Sequence, residues 1–167
     1  MEPGKAATGL DMTESGPIHV LLVEDELLIS EWAAQALSEQ GFAVQTATNA
    51  TDALMHLASD QVDVLFTDIN LPGAMDGAAL ARRARELMPD LTVIYASGRV
   101  GVLAPEARVP GAIVVPKPYQ PELVGRLAAA AIHHAAGGRD VYKRQPEERS
   151  EHQVRAQGVS GPGRGLD

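Results

Sequence analysis

No cysteine occurs in the 167 residues. That excludes disulfides, thiolate metal sites and thiol nucleophiles, and it suits a reducing compartment. Aromatic side chains are scarce at 4%, so the core drawn from the 45% hydrophobic content must be aliphatic and rich in alanine. The apolar runs are too short to cross a bilayer, and the first residues carry Glu2 and Asp11 without an apolar signal core. A cytoplasmic protein with no membrane contact is the expectation. Positive charge is also thin: residues 1–136 hold 8 Lys/Arg against 17 Asp/Glu, and residues 137–167 hold 6 against 5. An acidic body without a basic stripe argues against direct nucleic-acid binding. A Gly-rich phosphate loop is absent, and so is any repeat with a period of roughly 20–50 residues.

What the chain does have is alternation. IHVLLVE (18–24) is a continuous apolar run, as expected of a parallel strand covered on both faces. Residues 27–40 place Ile29, Ala33, Ala36 and Leu37 on one helical face, and Gly41 stops that helix. Phe42–Ala47 reads as a weaker edge strand, and Asn49 as the cap of a helix carrying Ala53, Leu54, Leu57 and Ala58. VDVLFTD (62–68) is a third strand. Asp76 then caps a helix with Leu80, Ala84 and Leu87, which Pro89 ends. LTVIYAS (91–97) and AIVVPK (112–117) are strands four and five, and the helix after Pro121 stacks Leu123, Leu127, Ala130 and Ala131. Segment 98–111 has three Gly and two Pro, which allows at most a short, loose helix. Five βα units of this kind predict a three-layer α/β sandwich with a parallel sheet.

In open α/β sheets the functional crevice lies beyond the carboxyl ends of the strands. Strand one ends there in Glu24-Asp25-Glu26, strand three in Asp68, strand four in Ser97 and strand five in Lys117. Clustered carboxylates raise one another's pKa unless a cation intervenes. Mg²⁺ prefers one or two carboxylates with retained waters and phosphate oxygens, and a lysine is a point-charge donor to a phosphoryl group. Asp68 is thereby a candidate nucleophile towards phosphorus, forming an acyl phosphate. Each residue alone has an ordinary reading: Asp68 a turn residue, Lys117 a solvated lysine, Ser97 a turn start, the acidic triplet a helix-dipole partner. Together, at four strand ends, they favour chemistry.

VLLVEDE, LFTDINLPGAMDG, IYASG and VPKPY resemble the strand ends of a two-component response-regulator receiver domain, over roughly residues 18–136. The resemblance implies a flavodoxin-like, doubly wound five-stranded sheet of order 2-1-3-4-5, the order the chemotaxis receiver exemplifies. It also implies a phosphoacceptor switch rather than an enzyme. Asp68 would take the phosphoryl group from a sensor histidine kinase or a histidine phosphotransfer protein. Asp25 and Asp68 would ligate Mg²⁺ directly with the backbone carbonyl of Asn70, and Glu24 through water. Ser97 and Lys117 would bind the phosphoryl oxygens, and a downstream protein target would read the change. Two departures stand out: Val114 occupies the place where receivers often carry a switch aromatic, and segment 98–111 shortens the fourth helix. Transmission through ordering of that segment is the expectation, and the pattern is similar to a subgroup of single-domain regulators.

Two other readings stay open. A Mg²⁺-dependent phosphatase could use an aspartyl nucleophile, although haloacid-dehalogenase-type enzymes place Asp-x-Asp on their first strand. A phosphorylation-independent, receiver-like binding module is the other. His133-His134, adjacent on a helix, read as a solvated or half-buried pair, Trp32 as partial core, and Arg82, Arg83 and Arg85 as a solvated helix face. Residues 1–17 are expected to be a disordered leader, with Met12 an alternative start. Residues 137–167 are expected to be a disordered tail, since composition breaks at Gly137-Gly138. DVYKRQ (140–145) resembles one frame of a transposase end sequence used in sequencing libraries, so adapter read-through from about Arg139 is expected, an ordinary tail being the alternative.

Overall fold

The structure, a computed structural model, describes residues 16–98 and 103–143, with side chains as far as Gly137. The expected leader therefore lies almost wholly outside the described residues, as do Arg99–Val102 of the segment after strand four and the tail beyond Lys143. The chain divides into two units, residues 1–132 and residues 133–167.

The first unit is a five-stranded, all-parallel sheet of order β2-β1-β3-β4-β5, as the sequence predicts. The strands are β1 (His19–Val23), β2 (Ala43–Ala47), β3 (Val64–Asp68), β4 (Thr92–Ser97) and β5 (Ile113–Pro116). The helices are α1 (Leu27–Glu39), α2 (Ala50–Ser59), α3 (Gly77–Leu87) and α4 (Pro121–Lys143). Alternate strand residues divide the core. Leu21, Val23, Leu65, Val93 and Tyr95 meet α2 and α3 through Ala53, Leu57, Leu80, Ala81 and Ala84. Val20, Leu22, Phe66, Ile94 and Val115 meet α1 and α4 through Ala33, Leu37, Val124 and Ala128. Small helix residues let α-layers lie close to the sheet, which is how an alanine-rich sequence fills a core with few aromatics.

The caps form as read. The Asn49 side chain accepts from the Asp52 amide at 2.9 Å and Asp76 from the Ala79 amide at 2.8 Å. Asp63, which interrupts the apolar run before β3, accepts the His19 amide at 2.8 Å and so ties the starts of two strands together.

Helix faces differ from expectation in three places. In α4 the buried stripe is Pro121, Val124, Gly125 and Ala128, one step from the predicted Leu123 and Leu127, and Leu123 is exposed. Gly125 is what turns that face inward: a Cβ there would run into Gln40, whose amide donates to the Pro121 carbonyl at 3.2 Å. In α3, Met88 just past the helix takes the inward place expected of Leu87, which is 50% exposed. In α2, Ala50 is buried and Ala58 is exposed. The helical region also runs on past the expected boundary at residue 136, through Gly137 and Gly138 to Lys143. A helical glycine costs only about 1 kcal/mol relative to alanine, too little to stop an alanine-rich helix by itself.

Between β4 and β5 the described residues hold no α-helix, only one 3₁₀ turn, Pro105–Ala107. Glycine and proline content foretold that.

Candidate functional site

The parallel register brings four strand ends to one rim. Asp68 closes β3 opposite Ala96, and Ser97 closes β4 opposite Pro116. Glu24 and Asp25 follow β1 directly, and Lys117 follows β5, its amide donating to the Ser97 carbonyl at 2.7 Å. The Lys117–Pro118 peptide is cis.

Lys117 Nζ donates to Asp68 Oδ2 at 2.6 Å and to Glu24 Oε2 at 3.3 Å. Glu24 and Asp68 are buried, 1% and 7% exposed, while Asp25 faces solvent. Ligand oxygens of Glu24, Asp25 and Asp68 all lie within 4.8 Å of one another. Three carboxylates thus face a single ammonium, which leaves an excess of negative charge. That donor set fits a hard divalent cation of the Mg²⁺ type.

Electrostatics record the crowding. Burial pushes the Glu24 carboxyl above the usual glutamate range, and the Asp68 charge adds to it against the Glu26 amide and Lys117, which pull it down. Burial draws Lys117 down, but hydrogen bonding and attraction from Asp68, then Glu24, prevail and hold its ammonium above the ordinary lysine value. The lysine stands in for part of the missing positive charge.

Two backbone amides brace the acids: Glu26 N–H donates to Glu24 Oε1 and Asn70 N–H to Asp68 Oδ1, both at 3.1 Å. Asn70 is exposed, between buried Ile69 and Leu71. Ser97 is 6% exposed at the end of β4. All six predicted site residues therefore stand along one rim, with Asn70 on the loop that leaves it.

Residues beyond those six also shape the rim. Tyr119 is buried, stacks on half-exposed Trp32 with centroids 6.2 Å apart, and meets Phe66 edge-on at 5.0 Å. Burial first, then the nearby Glu24 and Asp68 charges, push its phenol far above the ordinary tyrosine value. The Lys-Pro-Tyr sequence signalled an aromatic here. Gly77, the first residue of α3, lies directly against Asp68; the Asp-Gly pair before an apolar helix was its only signal. Tyr95, level with Val114 across the sheet, buries a ring where β5 offers none, and its Oη accepts the Val109 amide at 3.3 Å. Arg82 is exposed and Arg85 half-buried, and their guanidinium groups also reach the carbonyls of Ala107 at 3.4 Å and Pro110 at 3.0 Å. Arg83, also exposed, pairs with Glu86.

Comparison with known proteins agrees with this fold. The family model of the response regulator receiver domain matches residues 20–127. The chain belongs to that family. The response regulator receiver protein CpdR of Brucella abortus is 36% identical over 102 residues, which span 60% of this chain and 84% of that protein. The transcriptional regulatory protein CseB of Streptomyces coelicolor is 36% identical over 127 residues, 72% of this chain and 53% of its own length. The regulatory protein DctD of Rhizobium meliloti, 33% identical, is matched over only 25% of its length. The match thus covers most of some relatives and a half or a quarter of others. A receiver from Sinorhizobium medicae superposes with a TM-score of 0.67 at 25% identity, covering 71% of this chain and 97% of that one. A CheY-like receiver from Methanospirillum hungatei gives 0.66 at 21%, a likeness of fold. Receiver domains of this family are signalling phosphoacceptor domains of two-component systems, work with histidine kinases and bind Mg²⁺ in an acidic pocket. Among the described residues no helix is long and apolar enough to cross a membrane.

Proposed function

We propose that this receiver is a cytoplasmic phosphoacceptor switch whose acceptor is Asp68. The observation that carries the reading is the Asp68 carboxylate itself: buried at a strand end, bonded to Lys117, and grouped with Glu24 and Asp25. A histidine kinase or histidine phosphotransfer protein supplies the phosphoryl group. An Asp68 oxygen forms the new bond to phosphorus, the bond to the donor histidine nitrogen breaks, and the imidazole keeps the electron pair and takes up a proton. Asp25, Asp68 and the Asn70 carbonyl would hold Mg²⁺, with Glu24 acting through water, and the bound ion would neutralise the oxygens of the transferring group. Lys117, released from its bond to Asp68, turns to a phosphoryl oxygen, and the Ser97 hydroxyl bonds another.

The response then passes into the β4–β5 connection. Ser97 and Tyr95 lie two residues apart on β4, and Tyr95 holds Val109 of that connection. The target read out is a protein; the acidic domain offers no basic surface stripe for nucleic acid.

With Mg²⁺ and acetyl phosphate, the wild-type protein gains one base-labile phosphoryl group. Asp68→Asn, whose amide is no nucleophile, gains none, and Asp25→Ala loses labelling and Mg²⁺ binding together. Undiminished labelling of Asp68→Asn would sink the assignment. Sustained hydrolysis of a generic phosphate ester would point to a phosphatase instead.

A further inference from the structure

The β3–α3 loop, residues 69–76, carries Asn70 and is closed at its base by one residue. The Gly77 amide donates to the Ile69 carbonyl at 2.7 Å. A Cβ on Gly77 would collide with the Asp68 carbonyl oxygen and lie 2.8 Å from the Asp68 carbonyl carbon and 2.9 Å from Ile69 Cα. All three are main-chain atoms, so no side-chain rotation relieves the clash; either α3 retreats or β3 shifts at the acceptor itself. Gly73 in the same loop and Gly98 after β4 have open space at the same point, and Gly125 in α4 meets a side chain, so the close approach to main chain is particular to Gly77 among the described glycines.

The loop has little freedom to absorb a shift elsewhere. Ile69 and Leu71 are buried, Met75 packs against the same core, and Asp76 caps α3. Asn70 is held between them, its amide on Asp68 Oδ1.

We propose that Gly77 is a positioning residue of the phosphoacceptor site. Its missing Cβ lets the start of α3 press on Asp68 and Ile69, and this fixes the main chain from Asp68 to Asn70 that the divalent cation needs. The inference rests on the Asp68 and Mg²⁺ reading above. It adds a residue that ligates nothing and touches no phosphoryl oxygen.

Calorimetric titration of the folded, metal-free protein with Mg²⁺ tests it, using wild type, Gly77→Ala and Leu80→Ala. Leu80 lies in the same helix with its side chain in the core, so its truncation loosens α3 without touching Asp68. Gly77→Ala is expected to bind Mg²⁺ about 10- to 100-fold more weakly, the usual cost of disturbing groups that orient metal ligands. Leu80→Ala should bind as wild type does, despite melting at lower temperature. Unchanged affinity in a folded Gly77→Ala, or an equal loss in Leu80→Ala, overturns the proposal. Should Gly77→Ala fail to fold, amide NMR of the wild type during the same titration decides: the Gly77 resonance must shift together with those of Ile69 and Asn70. A Gly77 resonance that stays still while Asn70 moves overturns it too. A wild type that binds no Mg²⁺ removes the Asp68 reading itself, so the two failures are told apart.

Discussion

The two crossovers that flank β4 do the same topological job by different means. The one from β3 to β4 runs through α3, which buries Leu80, Ala81 and Ala84 completely and starts hard against Asp68. The one from β4 to β5 has, among its described residues, one 3₁₀ turn with no buried residue in it, and it reaches the core through Val109 with Leu103 and Ala112 partly packed beside it. Its carbonyls and amides are held by side chains: Arg82 on Ala107, Arg85 on Pro110, Tyr95 on Val109, and Arg108 on Leu103 at 3.1 and 2.9 Å. Apolar packing is non-directional and hard to undo in steps, whereas single hydrogen bonds can be exchanged one by one at about 1 kcal/mol each. A crossover built on packing suits the chemistry, which needs fixed atoms. One that leans on tethers, with Val109 its buried anchor, suits a response, which needs a second arrangement within reach.

Breaking each crossover at its own support should separate them. Leu80→Ala removes a fully buried side chain from α3 and is expected to cost about 2–5 kcal/mol in denaturant unfolding. Tyr95→Phe keeps the ring and deletes the hydroxyl that accepts the Val109 amide, for about 1–2 kcal/mol. It should also speed amide exchange in residues 103–111 while leaving α3 unchanged. If Tyr95→Phe cost as much as Leu80→Ala, the connection would be packed rather than tethered.

The smallest effect has the opposite sign. Glu24 holds its proton more tightly folded than unfolded because it is buried. Its contribution to stability is therefore fully present below the ordinary glutamate pKa and is lost as pH rises through the raised folded value. Glu24→Gln should accordingly lessen the loss of stability with rising pH across that window and, at neutral pH, raise the unfolding midpoint while weakening Mg²⁺ binding. A midpoint that falls at neutral pH would mean that the Lys117 bond outweighs burial.

Much of this architecture was legible in the residues. Apolar runs, helix caps and the acids at strand ends gave the sheet order, through resemblance, and the whole predicted rim. What escaped was set by tertiary approach. Leucines drew the predicted α4 stripe to Leu123, yet Gly125 against Gln40 turns Val124 and Ala128 inward. The reach of Arg82 and Arg85 to carbonyls some 25 residues away escaped because such partners have no sequence signal. The role of Gly77 went unread because a main-chain contact with Asp68 leaves no mark on composition. The helix through Gly137-Gly138 shows that composition shifts do not locate helix ends.

Amide hydrogen exchange of the wild type, with and without Mg²⁺ and beryllofluoride, tests most directly the division of labour between the two crossovers. Occupancy at Asp68 is predicted to slow exchange in residues 103–111 and around Lys117, to leave the interior of α3 unchanged, and to lose the 103–111 protection in Tyr95→Phe. Protection confined to α3 or α1, with residues 103–111 unaltered, would contradict the account.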